Sequence, residues 1–290
     1  MSKSPHPRGL DHLVIAVRDL DAAGRFYEAL GFTVGGRNRH PWGTENRIVQ
    51  FPGVFLELIT VGEGAAIPPH GPGVFSFGAF VADSLARREG VCMVVLESHD
   101  AEADRAAFEA LGIGGFARFD FERSATRPDG SAARVAFSLS FAAARLMPEV
   151  GFFVCQQHEP QNFWNPAFQR HPNGATGIAA VTLVAENPSD HAEFLSHFTG
   201  VRDIESNSAG IGVPTPRGRI EVASAAALAF HTGVDVAEEP SRVVGFTVSV
   251  PDVDELSRRL ASAGIPSMRR GGDLVVAPQD AFGVLLVFRA

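Results

Sequence analysis

The chain has 290 residues, 45% of them hydrophobic and 23 of them phenylalanine, which is enough for two modest domains with well-filled interiors. Its net charge of −8 offers no basic surface for nucleic acid, and no apolar run approaches the roughly 20 residues of a membrane span. The polar start lacks a signal-peptide core, and Cys92 and Cys155 form no disulfide framework. We therefore expect a cytoplasmic protein whose partners are small molecules, with a homodimer left open.

The first predicted strand carries one metal-competent side chain, His12, inside an apolar run. Leu13 and Ile15 share one face of this strand, and His12 lies on the other. A helix then begins after Asp19, a typical N-cap residue, and closes at Gly31. A later apolar strand, 54–59, carries Glu57. Because a buried imidazole and a buried carboxylate both need partners, this pair indicates a binding site.

Strand, helix and further strands make a βαβββ unit, and the unit recurs. The later copies begin with strands at 94–100, 181–184 and 246–253, and each continues into a helix that ends at a glycine: Gly112, Gly200 and Gly264. Their last strands are predicted at 152–155, 219–222 and 284–288. The sequence therefore predicts four modules.

Three motifs carry a family resemblance: Asp-His-Leu-Val-Ile-Ala-Val-Arg-Asp-Leu, a helix ending Phe-Tyr-x-x-Leu-Gly-Phe, and a later Leu-Glu-Leu. They resemble the vicinal oxygen chelate superfamily, in particular glyoxalase-like proteins, closely over residues 9–62 and more weakly over 243–288. The resemblance implies an α+β fold in which four βαβββ modules form two half-open, curved, mixed sheets, as in the glyoxalase/bleomycin-resistance/dihydroxybiphenyl-dioxygenase type. It also implies a divalent metal on a concave face, held by equivalent positions of the first and last strands of each module.

The expected organisation is an N-terminal module pair at 9–157, an ordered linker at 158–173 and a C-terminal pair at 174–290. The N-terminal pair holds the candidate site, because the C-terminal pair is degenerate at the ligand positions. Positions equivalent to His12 are predicted at Met93, at Ala180 or Val181, and at Gly245; those equivalent to Glu57 are predicted at Cys155, Glu221 and about Leu286.

The resemblance assigns His12 and Glu57 as metal ligands, and we expect Cys155 and Gln157 to complete a site for Zn, Ni, Mn or Fe. Glu57 and His158 are the expected proton-transfer residues. The alternatives are that Cys155 is a small core residue and that a regular strand points His158 to the opposite face.

Two loops supply the expected substrate pocket. Trp42 and Arg47 come from an arginine-rich loop suited to an anionic group, and Trp164 and His171 come from the linker. The alternatives are a solvated surface for the arginines and a structural staple for the linker.

These residues favour a metal-dependent lyase or isomerase that moves a proton on a small carbonyl substrate, with the metal as Lewis acid. The alternative is a metal-free protein that binds or sequesters a small molecule, of the bleomycin-resistance type. A structural His12–Glu57 pair is the third possibility. An extradiol dioxygenase is the least favoured, because the resemblance would place its iron-binding histidines in the C-terminal half, where those positions are vacant. The single lysine, Lys3 in the N-terminal tail, argues against catalysis by Schiff base.

Overall fold

The computed structural model describes residues 6–126 and 131–290, so Lys3 lies outside the described residues. The first half runs β1 (Leu10–Ala16), α1 (Leu20–Ala29), β2 (Asn38–Arg39), β3 (Thr44–Phe51), β4 (Val54–Val61), α2 (Phe77–Arg87), β5 (Gly90–Glu97), α3 (Ala101–Ala110), β6 (Phe119–Thr126), β7 (Ala132–Ala142), β8 (Gly151–Gln157) and α4 (Pro160–Phe163). The second half runs β9 (Gly177–Val184), α5 (Ala192–Thr199), β10 (Glu205–Asn207), β11 (Gly210–Pro214), β12 (Arg219–Ala223), α6 (Ala225–Thr232), β13 (Arg242–Ser249), α7 (Val253–Ser262), β14 (Met268–Arg270), β15 (Asp273–Val276) and β16 (Leu285–Arg289). Short 3-10 turns precede α5 and β16.

The strands form two mixed sheets of eight, in the orders β2-β3-β4-β1-β5-β8-β7-β6 and β10-β11-β12-β9-β13-β16-β15-β14. In each module the first strand pairs parallel with the last, and the two modules of a sheet meet through antiparallel first strands. The first sheet curls into a half-barrel. The predicted α+β fold of four βαβββ modules in two curved sheets is confirmed.

The alternation along β1 decides which side of the first sheet is core. Leu13 and Ile15 pack into one large apolar core that both sheets share with the helices, whereas Val14 and Ala16 belong to a separate cluster on the concave face. Ring contacts between the halves, such as Phe108 with Phe198 at 6.0 Å between centroids, lie in the shared core. The convex sides of the sheets are therefore buried together, and each concave side faces outward.

Polar contacts join the two sheets at the start of β1. Arg217, between β11 and β12, donates to the carboxylate of Glu97 at 2.7 Å and to the carbonyl of Leu10 at 2.9 Å. Arg8 forms a partly buried ion pair with Asp104 of α3 at 2.5 Å. These contacts fix the end of β1 that carries the candidate ligand His12.

Three helices that directly follow a module's first strand start at an aspartate. The side chains of Asp19, Asp100 and Asp252 accept hydrogen bonds from the first-turn backbone of α1, α3 and α7. After α1 the chain turns at Gly31, whose φ of +93° favours glycine. No helix in the described ranges has the length and apolar character that a membrane crossing requires.

Gly245 of β13 allows close packing of the second sheet. A Cβ at this position would lie 1.8 Å from the carbonyl oxygen of Leu285 in β16. We expect Gly245→Ala to destabilise the protein by about 2 kcal/mol or more, because the strands would have to separate. Chemical denaturation monitored by circular dichroism measures this. Gly177→Ala in β9 is the control, since a Cβ there meets nothing within 4 Å; equal stability of the two variants would contradict the prediction.

Candidate functional site

A cavity of about 460 Å³, including its open mouth, lies on the concave face of the first sheet. Most of its wall is made of rings: His12, His40, Trp42, Phe55, Phe77, Phe121, Phe137, Phe153 and Phe163. Further polar groups come from Asn46, Glu57, Arg123 and Cys155. A mostly apolar cavity with a few convergent polar groups is typical of a small-molecule site.

Glu57 brings a buried carboxylate to this cavity from the middle of β4. Leu56 and Leu58, on either side of it, point into the shared core, so the strand's alternation holds Glu57 on the concave face. Asn46 of β3 donates from Nδ2 to Oε1 of Glu57 at 2.5 Å, and Nε2 of His40 lies 3.6 Å from the same oxygen. The carboxylate is therefore positioned by one amide and faces one imidazole.

His12 is oriented by its neighbour in sequence. Its Nδ1 lies 2.6 Å from a carboxylate oxygen of Asp11, and its ring stacks on Phe55 at 4.2 Å between centroids. Because a carboxylate accepts hydrogen bonds, we assign the proton to Nδ1, which leaves Nε2 as the nitrogen available to a ligand. The pairing of β1 with β5 is irregular between Leu10 and His12. At this irregularity the consecutive side chains of Asp11 and His12 contact each other, although a regular strand would point them to opposite faces.

His40 is a site residue that the sequence reasoning missed. Its Nδ1 lies 2.8 Å from the hydroxyl of Thr44, and its ring stacks on Trp42 at 4.4 Å between centroids. Burial lowers the pKa of His40, while the charge of Glu57 acts in the opposite direction. We therefore take His40 as a neutral imidazole beside Glu57 at neutral pH. It lies in the loop whose arginines drew attention in the sequence.

The strand registers show what the second module places opposite His12. Across β1 and β5, His12 pairs with Val95 and Val14 pairs with Met93. Exchanging the two modules turns the pair His12–Val95 into the pair Met93–Val14. Met93 therefore occupies in the second module the position that His12 occupies in the first. Met93 is fully buried, and its thioether is a poor ligand for a hard divalent cation.

The same reasoning locates the counterpart of Glu57. Glu57 lies beside Val14 in β1, and Phe153 lies beside Val95 in β5. Phe153 therefore occupies the related position, and Cys155 lies one step further along β8. The sequence spacing predicted Cys155 as the equivalent of Glu57; the equivalent is Phe153, two residues earlier in β8 and on the same face.

The other two expected ligands do not complete a metal site. Cys155 lines the cavity, but burial raises the pKa of its thiol well above the ordinary value, with Asp11 and Glu57 adding to the shift. Gln157 donates its amide to Asp11 at 3.0 Å. Within residues 6–126 and 131–290, no group of three or more His, Cys, Asp or Glu side chains is placed to hold a metal ion. This donor set does not fit a resident divalent cation.

The remaining predicted site residues lie outside the cavity wall. His158 contacts the hydroxyl of Ser138 at 2.8 Å in an outer groove, and Arg47 donates to Asp21 at 2.8 Å. Trp164 packs edge-on against Phe55, behind the wall. Of the predicted residues, the structure brings His12, Glu57, Cys155 and Trp42 together around one space.

The linker is held across β3 by Gln50. The side chain of Gln50 donates to the carbonyl of Phe163 at 2.8 Å and accepts from the backbone of Asn165 at 3.0 Å. His171 donates from Nε2 to the carbonyl of Gln50 at 2.9 Å and accepts at Nδ1 from the backbone of Thr33 at 3.0 Å. These contacts place Phe163 against the cavity and use His171 as a staple.

A family model described as a glyoxalase-like domain matches residues 10–199. Among solved structures, the chain is similar to a hypothetical protein from Staphylococcus aureus, with a TM-score of 0.69 and 14% identity over 97% of this chain and 99% of that one. It is also similar to a triple mutant of 4-hydroxymandelate synthase from Streptomyces coelicolor, with a TM-score of 0.62 and 12% identity over 97% and 92%. A Mn(II)-bound glyoxalase from Novosphingobium aromaticivorans gives 0.54 and 14% over 98% and 82%. No curated protein matches, and identities this low show the fold alone.

The staple at His171 makes stability depend on pH. Burial lowers the pKa of His171 below 6.5, so the unfolded chain takes up a proton that the folded chain resists. The stabilisation that comes from keeping His171 neutral in the folded chain is complete above about pH 6.5 and is lost as the pH falls below that value. We expect His171→Gln to show a smaller fall in Tm between about pH 7.5 and about pH 5 than the wild type. Thermal melts measure this, with the exposed His99→Gln as control; equal falls in both variants would contradict the prediction.

Proposed function

Because this chain belongs to the glyoxalase-like domain family, within the vicinal oxygen chelate superfamily, we propose that it binds a small, largely apolar carbonyl compound in the cavity of its first sheet and moves a proton on the carbon beside the carbonyl. This is lyase or isomerase chemistry. The observation that carries the proposal is the buried carboxylate of Glu57 inside a wall of aromatic rings.

Glu57 is the base in this proposal. The carboxylate of Glu57 is buried and lines the cavity, so a substrate bound there would bring its exchangeable proton within reach of the base. Asn46 fixes its orientation, and the rings around it keep water away from the reacting carbon. The apolar wall also binds the body of the substrate by excluding water from both surfaces.

His12 presents a hydrogen-bond acceptor to the substrate. Asp11 holds its Nδ1–H, so Nε2 offers a lone pair to a donor group on the substrate, while the proton that leaves the carbon is taken up and returned by Glu57. Gln157 in turn holds Asp11. The pair formed by Asp11 and Gln157 positions His12 and does not touch the substrate.

The sequence favoured a divalent metal at this place, and a structurally similar glyoxalase is Mn(II)-bound. Because the described donors of this chain do not fit such an ion, the proposed proton transfer uses side chains alone. The second candidate function is binding without chemistry, which the ring-lined wall would also serve but which gives the buried Glu57 no role. The experiment below separates these possibilities.

We expect the wild type to catalyse exchange of the protons beside the carbonyl of propiophenone in heavy water, measured by NMR. Glu57→Gln should lower the exchange rate by about 10²–10⁴-fold, because it removes the base while keeping the shape. Binding, followed by the fluorescence of Trp42 and Trp164, should change by less than about threefold. The control is Glu63→Gln, which alters an exposed carboxylate away from the cavity.

The other outcomes identify the competing functions. Binding without any exchange in the wild type would support the sequestration protein. Exchange that a chelator abolishes, together with a stoichiometric metal that His12→Ala removes, would support the Lewis-acid mechanism predicted from the sequence. Loss of both binding and exchange in Glu63→Gln would show that the assay reports on folding.

A further inference from the structure

We propose that Arg123 makes this cavity selective for an aromatic carbonyl compound that also carries a carboxylate, with the carboxylate bound by the guanidinium and the ring held between the aromatic walls. The inference rests on the proposed function, and it names the class of substrate.

The placement of Arg123 follows from the alternation along β6. Phe119, Phe121 and Arg123 share one face of this strand. Phe121 stacks on Phe137 of β7 at 5.0 Å and meets Trp42 edge-on at 4.9 Å between centroids, so this face of β6 forms a wall of the cavity. Arg123 continues the same wall and lines the cavity with Glu57.

Among the described residues, Arg123 has no carboxylate partner, unlike its neighbouring arginines. Arg134 of β7 pairs with Glu122 at 2.6 Å, and Arg118 pairs with Asp120 at 2.9 Å. Glu122 is adjacent to Arg123 in sequence, but alternation places it on the other face of the strand. Within the described residues, no carboxylate lies within ion-pair distance of Arg123.

The half-buried guanidinium of Arg123 is poorly compensated. Its hydrogen bond in the described part of the chain is a long one, 3.4 Å to the carbonyl of Ser124. Burial lowers the pKa of Arg123, because the guanidinium loses hydration there. The charge of Glu57 acts on this pKa in the opposite direction, but the two side chains form no ion pair. A partly desolvated cation favours an anion that brings hydrogen-bond acceptors, and a carboxylate fits the fork of a guanidinium.

The arginines that the sequence singled out for an anion are already paired. Arg37 binds Glu45 at 2.7 Å, and Arg47 binds Asp21 at 2.8 Å, both outside the cavity wall. Recognition of an anionic group inside the cavity therefore falls to Arg123. A molecule that reaches from Arg123 to Glu57 places its carboxylate at one and its exchangeable carbon at the other.

The test compares benzoylpropionate with its primary amide, two aryl ketones of nearly the same shape that differ in charge. Isothermal titration should show the wild type binding the carboxylate at least about tenfold more tightly than the amide. Arg123→Gln should weaken carboxylate binding by about tenfold or more and amide binding by less than about threefold. Arg134→Gln, in the same hairpin but paired outside the cavity, is the matched control and should keep the wild-type preference.

Folding of the variant is checked independently by its Tm. Removing a poorly paired, half-buried cation should leave the Tm of Arg123→Gln equal to or above that of the wild type. Equal binding of acid and amide by the wild type would overturn the inference, and so would equal weakening of both ligands by Arg123→Gln. If neither ligand binds while propiophenone still exchanges its protons, the inference fails and the proposed function stands. If propiophenone exchange and binding are absent as well, both fail.

Discussion

The parallel pairing of β1 with β4 is the constraint on which the site depends. Five consecutive residue pairs, from His12 with Phe55 to Ala16 with Ile59, hold the two strands in register. Each strand has apolar side chains in the core shared by both sheets, and slipping by one residue would move those side chains to the concave face. The burial of Leu13, Leu56 and Leu58 thus fixes the direction in which His12 and Glu57 point.

The four modules share this pairing but use its concave positions differently. In the first module those positions carry His12 and Glu57, whereas the second module supplies Met93, buried in the apolar cluster of the concave face, and Phe153, which lines the cavity. Gly245 takes the related position in the fourth module, where β16 approaches too closely for any side chain. The four modules therefore share one backbone arrangement, and among the described residues at these related positions the first module has both an acid and an imidazole.

The fold could be predicted because it depends on periodicity and helix caps, which are local properties of sequence. The repeated order of strand, helix and further strands, the cap at Asp19 and the approximate positions of the first and last strands of each module followed from them. Helix α2 was missed, although Ser76 caps it and its buried residues are spaced as in an amphipathic helix. The site was harder to predict than the fold. Asp11 contacts His12 at an irregularity in the strand, and His40 lies near Glu57 because of how its loop folds, and neither feature is visible in the local sequence. The alternation Phe119, Phe121, Arg123 was readable, yet nothing local showed that this face closes the cavity.

The charges inside the cavity constrain what it accepts. Glu57 and Arg123 face the same space without forming an ion pair, and two other groups that line it, neutral His40 and the Cys155 thiol, add no charge. A ligand with one negative charge compensates Arg123 and leaves Glu57 free to take a proton. A ligand with a positive charge would instead bind Glu57 and remove the base. In the proposed reaction, the cation and the wall of rings set where the ligand lies, and the acid sets which of its atoms reacts.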